Sequence, residues 1–489
     1  MTLSSLYRDS LSLFTDLYQI TMAYGYYSLG IQDKEVCFHM ITRKNPFEGG
    51  YTVACGLAQF IEYLEGLRFR EDDLNYLQAM KGADGRPLFS EGFLNYLKEL
   101  RLRITVHAVP EGTVVFPYEP LVRVIGPLLQ CQLVESALLN IVNFQSLIAT
   151  KASRVVLAAE GQPVVEFGLR RAHGVDGAVS ASRAAYIGGC VGTSNVLAGK
   201  LFGIPVKGTH AHSWVMVFED ELQAFQGYAK SMPNNCILLV DTYETFQGIR
   251  NAVHVAGEMK ARGDRLLGIR LDSGDLAYLS QEARRILNEA GLKDAVIIGS
   301  SDLDEDAIAN FKEQGAKVDM WGVGTRLVTA HGDPALTGVY KLSAVRGPNG
   351  RWEYKIKISE QLAKVTVPGV LEVRRYKRDG EYIADAIYDL QMGLEEPVVI
   401  MDPSDPTRRK KIQGGLESEE LLVPIFEEGQ LVYSLPSIEE ARERCLTQLK
   451  SFHPSIRRRI SPHQYPAGLE KRLYELRSWL ITEVKEKVS

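Results

Sequence analysis

The stretch LLGIRLDSGDLAYLSQEARRILNEAGLKDAVIIGSSDLDE, residues 266–305, holds the pattern that decides the fold. An apolar run, Leu266–Leu271, ends in the polar cluster DSGD. An amphipathic segment, Ser280–Ala290, follows and stops at Gly291, a residue that readily takes the left-handed turn ending a helix. A second apolar run, Ala295–Gly299, ends in another polar cluster, SSDLDE. Strand, helix and strand in that order form a βαβ unit, whose two strands lie parallel in one sheet.

The pattern repeats in both directions. Further apolar runs lie at Pro163–Phe167, Ile204–Lys207, Cys236–Val240, Val318–Val323 and Val339–Leu342, with a helix expected over Glu305–Gln314 before Gly315. Nearly every run ends in a polar, mostly glycine-containing cluster: EFGLRR, KGTHAHSW, VDTYE, RLDSGD, GSSDLDE and GVGTR. An open sheet gathers its ligand contacts at one switch point. A barrel brings every strand end to one mouth. Six chemically equipped ends in succession predict an α/β fold with an irregular TIM-like (β/α) barrel, flanked by an N-terminal α/β domain and a C-terminal extension. The expected divisions are 1–130, 131–345 and 346–489, the last partly packing on the N-terminal domain. Before the barrel, Leu13–Tyr27 reads as a helix capped by Ser12 or Thr15, Asp33–Ile41 as a strand, Ile104–Ile125 as β-rich, and Val134–Leu157 as a long buried helix. Beyond it, RWEYKIKIS and EYIADAIYDL read as strands, DPSDPTRRKK (402–411) as a basic loop, and the chain from Ser437 as charged helix that packs as a satellite or against a partner.

Composition narrows the function. The 489 residues are 45% hydrophobic and 24% charged with a net charge of −5, a folded chain without the basic footprint of a nucleic-acid binder. The first 19 residues lack a secretory pattern, and no apolar run reads as a membrane span. Six scattered cysteines without a CxxC pair point to a reducing compartment, and so to the cytoplasm.

Each strand end has a chemical reading and a plainer one. His210 and His212 in GTHAHSW form an HxH pair that suits zinc, an acid/base group or a nucleophile. The later ends supply Asp241, Asp272 and Asp302 but no histidine before His331, so a metal site lacks ligands. Arg270 and Asp272 alternate along one strand and face the same side. Ser273 and Asp275 serve equally as helix caps. Gly322, Gly324, Thr325 and Arg326 form a late, glycine-rich turn where barrels bind phosphate, with GSSD (Gly299–Asp302) one strand earlier and able to share the same phosphate. Phe167 with Arg170 and Arg171 offers stacking and charge to a flat anionic ring, against a reading as one core and two surface residues.

TDLYQITMAYGY, EFGLRRAHG, GTSN, GTHAHSW, LVDTY, IRLDSGDL, SSDLDE and GVGTRLVT, taken in order from about residue 14 to 345, resemble the nicotinate phosphoribosyltransferase family. The resemblance implies joining nicotinate to 5-phosphoribosyl-1-pyrophosphate in NAD salvage, with Mg²⁺ at the departing pyrophosphate and ATP hydrolysed through a phosphohistidine. It implies a homodimer with a shared active site. By the resemblance, His212 matches the phosphorylated histidine and Asp272 the acid at the ribose. Tyr18, Phe167, Arg170, Thr209 and Arg270 match base-site positions, and Gly322, Gly324 and Thr325 the 5′-phosphate loop; Ser213 and Ser301 complete the expected substrate contacts. Ser194 and Asn195 stand where nicotinamide-using relatives carry an acid, which favours nicotinate. Nicotinamide or quinolinate as the base, a metal-dependent barrel hydrolase and a non-catalytic binding protein are the alternatives.

Overall fold

The computed structural model describes residues 10–361 and 364–488. The leading residues 1–9 of the segment read above for a secretory pattern lie outside them. Two compact units are present, Ile148–Pro334 and a second formed by Met1–Leu147 with Ala335–Ser489.

The Ile148–Pro334 unit holds the parallel series: β1 (Val164–Glu166), β2 (Gly192–Thr193), β3 (Ile237–Leu239), β4 (Gly268–Leu271), β5 (Val296–Ser301) and β6 (Met320–Val323). Neighbours pair in chain order from β3 to β6, and β6 then pairs back onto β1, Trp321 opposite Val164. On its other side β1 pairs with β2, and Thr193 makes a single parallel bridge to Val206. A last strand that returns to the first is what closes a sheet into a barrel. One seam lacks a ladder, between the Val206 segment and β3. There the Leu239 N–H donates to Nε2 of His210 at 3.1 Å, so an imidazole stands where a strand carbonyl would.

Helices connect the strands, and their N-caps come from the strand-end clusters themselves. Asn195 caps Val196–Phe202, Glu244 caps Thr245–Ala261, Asp275 caps Leu276–Glu289 and Asp304 caps Glu305–Glu313, each accepting from one or two backbone amides of the first turn. Of the two caps weighed for DSGD, Asp275 takes the role and Ser273 donates to Asp241 instead. Ile269, Leu271, Ile297 and Trp321 are buried on the strand face opposite Arg270, Ser300 and Gly322, with Trp321 stacked on Phe311 and its indole N–H on Gln162 at 2.8 Å. Lys151 and Arg154 bury their charges on Glu305 at 2.7 and 2.9 Å.

Two strand expectations change. Ile204–Lys207 contributes only the bridge at Val206, and β2, two residues with a glycine, carries no periodic signal. Val339–Leu342, read as the seventh run of the series, lies in Gly338–Arg346 and pairs antiparallel with Glu35–Thr42 in the other unit, Tyr340 opposite Met40. A lone apolar run does not encode the direction of its partner.

In that second unit, Glu35–Thr42, Pro120–Pro127, Thr105–Ala108 and Val423–Glu427 run side by side in a seven-stranded sheet. A six-stranded sheet carries Glu381–Asp389, Leu371–Arg378 and Ala467–Glu470. The first helix spans Leu17–Ser28 and starts later than expected, with Asp16 at its cap, because Ser12 donates to Asp73 at 2.9 Å. The long helix is Glu135–Ala158 and the C-terminal helices are Ile438–Ser451 and Lys471–Val488. Within the helical stretch Leu128–Ala158 an 18-residue window reaches a mean hydropathy of 1.3, and 61% of it is buried inside the protein, as in a core helix.

Candidate active site

Arg270 leaves β4 with its side chain 14% exposed and its guanidinium held from three sides. Nε donates to Ser300 Oγ at 2.7 Å, Nη1 to Thr209 Oγ1 at 3.2 Å and Nη2 to Asp272 Oδ1 at 2.5 Å. The Phe167 ring lies 5.6 Å from the guanidinium carbon. Three of five N–H donors are thereby engaged and two are left for a ligand. The alternation read from the sequence, Arg270 and Asp272 to one side, is what the structure shows.

Asp272 is the junction of the cluster. Ser300 donates to its Oδ1 at 2.5 Å, and its Oδ2 faces His212 Nε2 at 3.8 Å. Burial alone would raise its pKa; the charge of Arg270, the hydrogen bonds from Ser300 and Arg270 and the nearby His212 outweigh that and hold the carboxyl below its ordinary 3.8. Asp241, one strand earlier, accepts from the Asp272 N–H at 2.8 Å and the Ser273 hydroxyl at 2.7 Å, fixing the DSGD turn.

The two histidines separate cleanly. His210 is buried, with its Nε2 lone pair taken by the Leu239 amide, which leaves the proton on Nδ1 facing the Ala211 carbonyl at 3.3 Å. Burial, then the charges of Arg270 and His212, lower its pKa against the pull of that carbonyl, so it stays neutral. With Nε2 occupied, HxH does not offer two lone pairs to a metal. His212, 39% exposed, has Nδ1 against Thr242 Oγ1 at 3.1 Å and Nε2 turned to Asp272.

Around this cluster the glycines decide what fits. A Cβ on Gly322 would sit 2.6 Å from two carbons of the Phe167 ring, so only glycine lets that ring lie across β6. Gly324 opens the short helix Thr325–Val328, whose first turn has no side-chain cap. Glu166, fully buried, accepts from Ser182, Thr193 and the Gly168 amide, and so sets the turn carrying Phe167.

The remaining expected residues make no hydrogen bond or ion pair to this cluster among the described residues. Arg170 is exposed in the turn Leu169–Arg171, while Ser213 and Ser301 are exposed with no side-chain hydrogen bond among the described residues. Arg326, read as a cation for phosphate, is tied to the helix cap Asp304 at 2.6 Å. Thr325 is half-buried beside it. Tyr18 belongs to the second unit, on Leu17–Ser28, and is 48% exposed. Sequence reasoning missed Thr242, and within GSSD it singled out Ser301 where Ser300 is the residue that joins the cluster. Strand parity was the only signal for Ser300, since it places Ser300 and Ser301 on opposite faces without saying which faces the site.

Comparison with known proteins follows the same residues. Three family models match in succession: the N-terminal domain of nicotinate phosphoribosyltransferase over residues 13–143, the nicotinate phosphoribosyltransferase family over 163–349, and its C-terminal domain over 372–477. The nicotinate phosphoribosyltransferase of Bacillus subtilis (strain 168) is 45% identical over 489 residues, 98% of this chain and 97% of the relative. That of Homo sapiens is 34% identical over 526 residues, 95% of each. The crystal structure of human nicotinic acid phosphoribosyltransferase superposes with a TM-score of 0.82 at 32% identity, covering 95% of this chain and 99% of that one. A nicotinate-nucleotide pyrophosphorylase from Pyrococcus furiosus gives 0.67 at 25% identity, covering 91% and 97%. With three successive models matched and relatives aligned end to end, the chain belongs to the nicotinate phosphoribosyltransferase family of phosphoribosyl-transferring enzymes.

Proposed function

We propose that this chain joins nicotinate to 5-phosphoribosyl-1-pyrophosphate, releasing nicotinate mononucleotide and pyrophosphate, and couples the transfer to ATP hydrolysis through a phosphorylated His212. The observation that carries the reading is Arg270: a guanidinium held beside an aromatic ring, with two donors free, next to a carboxylate. Phe167 stacks on the pyridine ring and Arg270 takes its carboxylate, with Thr209 fixing the guanidinium. The pyridine nitrogen attacks the anomeric carbon as the bond to the pyrophosphate oxygen breaks. Asp272 stabilises the positive charge that builds there. Gly322, Gly324 and Thr325 form the turn that takes the 5′-phosphate, Gly322 by seating Phe167 beside it, and Arg170, Ser213 and Ser301 reach the substrates from the rim. With the proton of His212 on Nδ1 toward Thr242, Nε2 is free to take the γ-phosphoryl group as ADP leaves; water later releases phosphate.

Mg²⁺ fits this donor set as an ion shared with pyrophosphate. No group of three His, Cys, Asp or Glu among the described residues could enclose a metal, while Asp241 Oδ1 is buried without a partner beside Asp272. Asp241 and Asp272 are the residues that would hold it, and its contribution would be to neutralise the leaving group.

A homodimer sharing its sites is supported by apolar side chains left in solvent: Val196, Leu201, Met216 and Val217 on one unit, Leu17 and Tyr18 on the other. Tyr18 then serves the partner's base site. A cytoplasmic location is supported by six free, buried cysteines.

The test is incubation with nicotinate, 5-phosphoribosyl-1-pyrophosphate, Mg²⁺ and ATP, with mass analysis for nicotinate mononucleotide and ADP. His212→Ala is expected to stop ADP formation and leave slower transfer. ATPase activity surviving in that variant would remove the phosphohistidine, and nicotinamide winning in competition would overturn the choice of base.

A further inference from the structure

The basic segment Asp402–Lys411 takes no part in the site above. Its first half is a self-built turn: Asp402 Oδ1 accepts from the amides of Ser404 and Asp405, and Asp405 from that of Thr407. Its second half is the short strand Arg409–Lys411, paired with Val399–Met401. This strand forms one wall of two adjoining hollows, about 730 and 440 Å³, that share Lys410, His463, Tyr465 and Pro466.

The lining is unbalanced in charge. Arg408, Arg409, Lys410 and Arg458 bring four cations, with His463 beside them, against the carboxylates of Asp402 and Glu381. Asp402 is spent, with Oδ2 accepting from Gln464 at 2.9 Å and Oδ1 inside the turn. Arg408 is partly matched by Asp405 at 3.4 Å. The side chains of Arg409, Arg458 and His463 have no hydrogen bond or ion pair among the described residues. Lys410 is half-buried, and among the described residues its ammonium donates only to the neutral Ile383 carbonyl at 2.6 Å. Burial, then the charge of Arg378, disfavours that ammonium. A half-buried cation whose only protein partner is neutral gains from an anion that brings oxygens on several sides. Guanidinium forks beside an ammonium suit a tetrahedral oxyanion, and a hollow of this size admits a ligand as large as a nucleotide.

We propose that this groove binds phosphoryl groups of a small ligand, either free pyrophosphate or the phosphates of a nucleotide. Arg409 and Arg458 grip the outer oxygens and Lys410 the inner ones, while the largely buried Tyr465 forms the floor. None of these residues is among the barrel candidates, so failure here leaves the barrel reading standing.

The test is hydrogen–deuterium exchange on the full-length protein, following peptides across 402–411 and 453–468. Separate arms contain inorganic pyrophosphate, ATP, AMP and, as a control, sulfate. Protection of both peptides by pyrophosphate or by a nucleotide is expected, and the effective arm names the source. Arg409→Ala with Arg458→Ala should weaken the ligand response by at least about tenfold, the loss of one charge-assisted bond. Turnover at saturating substrates should be unchanged. Lys410→Met repeats the test from the inner wall. Protection in no arm, equal protection by sulfate, or undiminished response in the variants would overturn the proposal and leave a solvated basic loop.

Discussion

Replacing His210 by alanine removes the group that closes the barrel seam. Leu239 is 1% exposed, and its N–H at 3.1 Å from Nε2 has no other acceptor among the described residues. A buried donor left unsatisfied costs about 1–3 kcal/mol. The imidazole also meets Tyr228 edge-on at 4.7 Å between centroids, and losing such a contact adds about 0.5–1.5 kcal/mol. The seam should therefore open more easily by about 1.5–4.5 kcal/mol, or about 10- to 2000-fold in local opening. Amide exchange across 236–241 reads this directly. Global melting does not isolate it, because two units need not unfold together. His210→Gln keeps an oxygen acceptor and should restore part of the protection. His212→Ala, which removes a half-exposed ring bonded to Thr242, should leave exchange at Leu239 within about threefold. Exchange in His210→Ala within about twofold of the parent would refute the seam. So would a metal chelator accelerating exchange in the unmodified protein, since the pair would then be serving as ligands.

Three further outcomes follow from the same geometry. Asp272→Asn should lower turnover by about 10²–10³ with a smaller change in nicotinate KM, and a rate within about threefold of the parent would remove the carboxylate from the transition state. Gly322→Ala forces the Phe167 ring from its place against 2.6 Å contacts; overpacking of about 1–3 kcal/mol should appear as a nicotinate KM raised about tenfold or more, and an unchanged KM would detach Phe167 from the base. Acid should destabilise the fold through His39, His107 and His210, whose pKa values are each lowered, chiefly by burial and then by Arg123 for the first two; His107 falls to about 4. Neutral in the fold, they take up protons near 6.5 once unfolded, so their contribution is flat above 6.5 and is lost as pH falls from there toward 4. Urea melts that hold their midpoint over this window would contradict it.

The barrel was legible because its signal is repeated: strand ends rich in glycine and charge recur at one spacing, and any one of them can be misread without losing the pattern. What failed were single elements judged alone. Val339–Leu342 has a strand's composition, but its partner, Glu35–Thr42, lies three hundred residues away, and nothing local states the direction of that pairing. For Arg326, read as a phosphate cation, the sequence does not show that Asp304 lies 2.6 Å away and takes one of its donors. His210 and His212 look equivalent as letters. In the fold the first is buried against a strand lacking a neighbour and the second is half-exposed beside a carboxylate.

One physical constraint explains why the motifs mix readable and unreadable residues. Each strand end must do two things within a few residues: present side chains at the barrel mouth, and satisfy the bare amides of the helix that follows. In RLDSGD, Asp272 sits in the cluster and Asp275 caps. In VDTYE, Asp241 and Thr242 support the cluster and Glu244 caps. In GSSDLDE, Ser300 joins the cluster and Asp304 caps. In these three motifs the earlier polar residue joins the cluster and the later one caps, because the cap must lie where the helix begins. A polar strand-end motif therefore overstates the site by about half, and its order along the chain says which half to discount. On that rule Arg270 and Asp272 keep their functional reading, while His212, which follows the seam residue His210, keeps its own through its place beside Asp272. Asp275, Asp304 and Glu244, as polar and as prominent in the same motifs, have enough to do in starting a helix.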